Sequence, residues 1–240
     1  MEILKLDNLS KKYPNSRGVH NINLTIEHGQ IWGFLGPNGS GKTTTLKLIM
    51  NIINKNSGSV QICGYDVEDE QENAIRNIGA MFESTVHYGE LTAMQNMEQL
   101  ARYYPEIDKS RIDEILEVVG LSKYKKEKVK GFSLGMRQRL SIAQAMYPNP
   151  KLLILDEPFN GLDIEGVVEI RNLITKMSTK DNISFLISSH MASEMEKMCT
   201  HIATIRDGIL IDTDEVNNIL NLYPSIEDYF ITKFNEKEDI

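Results

Sequence analysis

The sequence predicts an α/β fold, and three observations carry that prediction. Short apolar runs alternate with amphipathic stretches along most of the chain, the order that lays strands in one layer with helices over them. Two of the apolar runs end in chemistry-bearing groups, the glycine-rich residues 36–43 and the acid pair Asp156-Glu157. Between them, from about Ser84 to Tyr147, strand signals vanish and helical periodicity dominates until a strand returns at Lys151. The helical block therefore reads as a subdomain inserted into an α/β core.

The core strands are expected at residues 30–35, 59–63, 78–82, 151–155, 183–188 and 201–206. Ile22, Leu24 and Ile26 alternate with polar residues, so an antiparallel part with one wet face is expected near the N-terminus. Helical periodicity runs through residues 42–53, 92–104, 109–119, 134–147, 165–176 and 191–198. Asp207-Gly208 between two β-rich runs reads as a hairpin turn. Residues 1–215 are expected to form one domain with the helical insertion at about 84–150. Residues 216–240 read as a peripheral helical tail with a frayed, charged end.

Composition excludes several classes. The 240 residues are 41% apolar and 25% charged, which rules out a disordered or disulfide-scaffold chain. With 26 basic against 34 acidic residues the net charge is −8, and that balance speaks against a nucleic-acid partner. Cys63 and Cys199 stand far apart and are read as thiols of a reducing cytosol. The N-terminus shows no signal-peptide pattern, and no run of 18 apolar residues is available to span a bilayer. Work at a membrane would need another chain.

Gly36-Pro37-Asn38-Gly39-Ser40-Gly41-Lys42-Thr43 follows an apolar strand and opens a helix at Thr44, the setting a phosphate-binding loop requires. Glycines let successive N–H groups turn inward around an anion, and the helix N-terminus adds positive potential. Lys42 would reach the β- and γ-phosphates of a nucleotide, and the Thr43 hydroxyl would ligate Mg2+. More than a hundred residues later, an apolar strand ends in Asp156 and Glu157. Asp156 is placed to hold Mg2+, directly or through water, while Glu157 is sent toward the γ-phosphate, where it could accept a proton from an attacking water.

Further motifs complete a resemblance. Residues 132–140, Phe-Ser-Leu-Gly-Met-Arg-Gln-Arg-Leu, resemble the signature of ATP-binding cassette (ABC) transporters, usually written Leu-Ser-Gly-Gly-Gln. Asn160-Gly161-Leu162-Asp163 resembles that family's D-loop, His190 its switch histidine, which implies a hydrogen bond to the γ-phosphate, and Tyr13 its adenine-stacking aromatic. Read alone, Ser133 is also a plain helix cap, Tyr13 a surface aromatic, and His190 a cap for a helix starting at Met191. The resemblance covers roughly residues 2–215. It implies a P-loop NTPase, RecA-like core with an antiparallel β subdomain and a helical insertion, binding ATP and Mg2+.

It also implies a head-to-tail pair of subunits, with Ser133 and Gly135 of one closing over the γ-phosphate held by the other. Asp163 would join that closed site. The pair would dock on an integral membrane permease at the cytoplasmic face of a bacterial membrane, through the loop 84–90 after Glu83. Two departures point to one branch. Glu83 stands where a glutamine usually reaches Mg2+ and the attacking water, and Leu134 and Met136 replace a glycine and a glutamine of the signature. Both resemble ATPase subunits of exporters for bacitracin and lantibiotics. The competing readings are a nucleotide-gated interaction module with little hydrolysis and a cassette ATPase that does not serve transport.

Overall fold

β1 (Glu2–Lys12) and β2 (Gly18–Glu27) pair antiparallel, and β1 pairs on its other edge with β4 (Ser57–Ile62), which carries the short β5 (Tyr65–Asp66). This computed structural model describes residues 1–14, 17–82 and 86–235. The second part of the sheet is parallel: β6 (Ile78–Met81), β7 (Leu152–Asp156), β8 (Ser184–Ser189), β3 (Ile31–Leu35) and β9 (His201–Arg206) lie side by side. β10 (Ile209–Glu215) turns back antiparallel to β9 and meets β2 at Ile209, joining the two parts into one ten-stranded sheet. Asp207 and Gly208 both have positive φ, as the expected tight hairpin requires.

The parallel strands show why their sequences are apolar throughout. Leu153 and Leu155 of β7 point into one core, and Leu152 and Ile154 into a second on the opposite face. β8 splits likewise, with Phe185 and Ile187 against Leu186. The first core is roofed by α3 (Ala93–Ala101), α4 (Arg111–Val118), α5 (Leu134–Met146), α6 (Ile164–Asp181) and α7 (Ala192–Met198). The second holds α1 (Lys42–Ile49) beneath the antiparallel strands, whose inward residues Ile22, Leu24 and Ile26 keep the expected alternation. Two short elements were not expected, β5 and α2 (Gln71–Ile75), which seats Ala74 in the second core.

Several boundaries differ from the sequence expectation. α1 stops at Ile49 rather than Ile53 because Asn51 turns left-handed, and the Asn51 and Ile52 N–H groups close back on Leu48 and Lys47 carbonyls. α6 runs to Asp181 rather than 176, since Met177 and Ser178 are buried and Asn182 supplies the left-handed stop. Between residues 86 and 150 the described elements are helices and short 3-10 turns, apart from one bridge between Thr92 and Lys128. The tail forms α8 (Val216–Leu222) and α9 (Ile226–Asn235), and its Ile219, Ile226 and Tyr229 enter the first core. Residues 236–240, expected to fray, lie outside the described residues. No described helix is long and apolar enough to cross a membrane.

Candidate functional site

The C-terminal ends of β3, β7 and β8 converge, and the groups expected to meet phosphate and metal meet there. Between β3 and α1 the loop bends around Gly39 and Gly41, both at positive φ, while Gly36 sits where any Cβ would lie 2.5 Å from the Ile205 carbonyl oxygen. The hairpin at Gly208 braces the loop from behind, its N–H donating to the Ser40 carbonyl at 2.8 Å. Tyr13, Asn38, Gly39, Lys42, Thr43 and Thr44 border a cleft of about 380 Å³. The Ser40 hydroxyl is buried in the loop with no hydrogen-bond partner.

Lys42 is 6% exposed and donates to the carbonyls of Gly36 at 2.7 Å and Pro37 at 3.3 Å. Its Nζ also lies 3.2 Å from Glu157 Oε1, an ion pair whose alignment falls short of a hydrogen bond. The Thr43 hydroxyl donates to Asp156, 2.9 Å from Oδ2 and 3.2 Å from Oδ1. Glu157 departs from the strand by a route that simple alternation does not foresee. It turns into the left-handed region at φ 51, a conformation that costs a non-glycine residue about 1–3 kcal/mol. The turn carries its carboxylate to Lys42 on one side and to His190 on the other, where Nδ1–H meets Oε2 at 2.9 Å. His190 is therefore not a helix cap: α7 begins after Met191, whose N–H is taken by the Ser189 hydroxyl.

The donor set fits Mg2+. It consists of hydroxyl and carboxylate oxygens at Thr43 and Asp156, and no cluster of three or more His, Cys, Asp or Glu that could hold a metal exists among the described residues. A hard cation that keeps waters and phosphate oxygens in its shell matches so sparse a set, whereas Zn2+ does not. Glu83, read as a further ligand, lies outside the described residues.

Ser133, Gly135 and Asp163 are not brought to this cleft. They line a separate groove with Leu134, Met136 and Leu162, which shares no lining residue with the first. Ser133 caps α5, its Oγ accepting from the Met136 N–H at 3.2 Å, and Asp163 caps α6 through the Gly166 N–H at 2.9 Å. Gly135 has ordinary helical φ, and a Cβ there would meet nothing closer than Leu162 Cδ2 at 3.8 Å. Its own chain does not require a glycine at that position.

Sequence reasoning missed Ser188. Its hydroxyl donates to Asp156 Oδ1 at 2.6 Å and accepts the Glu157 N–H at 3.0 Å. A polar residue closing an apolar strand, two before His190, was the available signal, but its partners follow only from the β7–β8 register that pairs Asp156 with Ser188.

A family model described as "ABC transporter" matches residues 19–160. The chain is 41% identical over 210 residues to the bacitracin transport ATP-binding protein BcrA of Bacillus licheniformis, covering 88% of this chain and 69% of that one. It is 37% identical over 220 residues to the lantibiotic transport ATP-binding protein SrtF of Streptococcus pyogenes, covering 92% and 94%. Its backbone matches the dimeric post-hydrolysis ATP-binding cassette MJ0796 bound to ADP and Pi with a TM-score of 0.79 at 26% identity, over 89% of this chain and 99% of that one.

Proposed function

Because the chain belongs to the ABC transporter family and is an ATP-binding, ATP-hydrolysing subunit of it, we propose that two copies pair head to tail and power a separate membrane permease. One observation carries the pairing: the two nucleotide-facing regions of a single chain do not share a residue, and the second holds a glycine that its own chain has no use for. A phosphate from a second copy gives Gly135 its reason, since close backbone approach is what the missing Cβ permits.

In this reading Tyr13 stacks on adenine and the N–H groups of the loop 36–44 surround the phosphates. Lys42 Nζ exchanges its loop carbonyls and Glu157 for the β- and γ-phosphate oxygens. Thr43 and Asp156, with Glu83, hold Mg2+, which when bound neutralises the phosphate oxygens. Glu157, released from Lys42 and steadied by the His190 Nδ1–H bond, takes a proton from the water that attacks the γ-phosphorus. The P–O bond to the ADP oxygen breaks, and Lys42 with Ser133 and Gly135 of the partner copy offsets the charge that develops. Asp163 orders the partner-facing loop by capping α6. Residues 1–215 serve as the ATPase domain, with 84–150 as its helical insertion and 216–240 as a tail.

The names of the relatives support a cargo class. BcrA and SrtF are transport proteins for bacitracin and a lantibiotic, so the coupled permease here exports an antimicrobial peptide or similar amphiphile. The exposed Val86 and Tyr88 at the start of the insertion support docking on a membrane partner at the cytoplasmic face.

Glu157→Gln tests the site. It keeps shape and hydrogen bonding but cannot accept the proton, so turnover should fall at least about 100-fold while ATP still binds. A dimer should then accumulate in size exclusion with Mg2+ and ATP. Turnover near the wild-type rate would remove Glu157 from the mechanism, and a protein that stays monomeric with ATP bound would sink the pairing.

A further inference from the structure

β8 is buried along its whole length, and Ser188 near its end is 0% exposed. A hydroxyl so placed must satisfy both its proton and its lone pairs inside the protein. Ser188 does so on the two acids of the cleft at once. Its proton goes to Asp156 Oδ1 at 2.6 Å, and its oxygen takes the Glu157 N–H at 3.0 Å, the same N–H that lies 3.2 Å from the Ser188 carbonyl.

The two bonds act on different arms of the site. The first occupies Oδ1 of Asp156, leaving Oδ2 as the nearer partner of the Thr43 hydroxyl. The second grips the backbone of Glu157 where it enters the left-handed turn that aims its carboxylate at Lys42 and His190. We propose that Ser188 is a positioning residue for hydrolysis, a single buried hydroxyl that sets the metal-facing oxygen of Asp156 and the strained turn of Glu157 together. This rests on reading Asp156 as the metal carboxylate and Glu157 as the base.

Removing the hydroxyl frees Asp156 to rotate and leaves the Glu157 N–H with the carbonyl alone. It touches neither the loop nor Lys42, so nucleotide binding without metal should be spared. Ser188→Ala should lower kcat about tenfold and raise the half-saturating Mg2+ severalfold, as loss of a bond behind a metal ligand does. Its Kd for ATP in EDTA and its melting temperature should stay at wild-type values. Ser188→Cys fills the space with a much weaker donor and should behave like Ala. Recovery of activity in Ser188→Cys would show that volume, not the hydrogen bond, matters, and would overturn the proposal. So would a Ser188→Ala protein with wild-type kcat and Mg2+ dependence, or one whose EDTA-state ATP affinity and melting temperature fall in parallel with kcat. Glu157→Gln, run alongside, separates the premises: if it hydrolyses ATP normally the reading of the base fails, and if it is dead while Ser188→Ala is normal, Ser188 alone is a bystander.

Discussion

The cleft at Lys42 and the groove at Ser133 are built on opposite terms. In the cleft the charges close on one another: Lys42 lies against Glu157, Glu157 against His190, and Asp156 against Thr43 and Ser188. In the groove Ser133 and Asp163 cap their own helices, Arg139 and Glu169 stand 3.6 Å apart in a loose ion pair, Leu134 is 37% exposed, and Ile164 next to Asp163 is 86% exposed. Glycine marks the contrast. At Gly36 the chain itself forbids a side chain, and at Gly135 it does not. A region whose charges pair within the chain is specified by folding, whereas a region with an unexplained glycine and uncovered apolar groups is specified by what it meets.

Matched alanine substitutions break or sharpen that contrast. Gly36→Ala puts a Cβ 2.5 Å from the Ile205 carbonyl and from the Ser40 hydroxyl, so β9 or the loop must move. Overpacking of this kind costs about 1–3 kcal/mol. At about 2–4 °C per kcal/mol for a chain of this size, melting should fall by several degrees, and ATP affinity with it. Gly135→Ala should do the reverse. In the first turn of α5 alanine is a better helix former by up to about 1 kcal/mol, so melting should hold or rise slightly. Turnover and ATP-dependent dimerisation should nevertheless drop. If Gly135→Ala turned over ATP like the wild type, the groove would have no close-approaching partner; a thermally unchanged Gly36→Ala would show the loop to be soft.

The same contrast explains what the sequence made legible. Contiguous patterns were readable: the phosphate loop between β3 and α1, the acids ending β7, the hairpin at Asp207-Gly208. β1 was not, because register shifts after Glu2, Leu6 and Leu9 interrupt the two-residue alternation that would announce it. Ser188 escaped because its partners lie more than thirty residues away, across a strand pair whose register no local pattern fixes. The left-handed turn of Glu157 was equally hidden, since a long side chain such as glutamate rarely adopts it and nothing adjacent signals it. Ser133 and Asp163 were singled out by resemblance, and what the chain alone does with them is cap helices.

His87 packs on the helix that Ser133 caps and yields the smallest expected effect. Its Nε2 stands 3.0 Å from the Ser141 hydroxyl and 3.2 Å from the Arg137 carbonyl, both on the helix that Ser133 caps. Burial pushes the imidazole pKa below its ordinary value, with the Arg137 carbonyl bond opposing and the Arg137 charge adding to the fall. Nδ1 is buried without a partner among the described residues, so a proton gained there would find no acceptor among them. The folded protein thus binds fewer protons than the unfolded chain between the lowered pKa and 6.5. Stability from this group is intact above pH 6.5 and is lost as pH falls toward the lowered value. His87→Gln can place an amide N–H near the Nε2 position but does not titrate. It should melt like the wild type at pH 7.5 and exceed it by on the order of 2 °C at pH 5.5. Part of the acid slope should survive in the variant, because burial also lowers the pKa of His201, with Glu215 opposing. Parallel melting curves for the two proteins from pH 7.5 to 5.5 would show that the contact of His87 with α5 is not proton-sensitive.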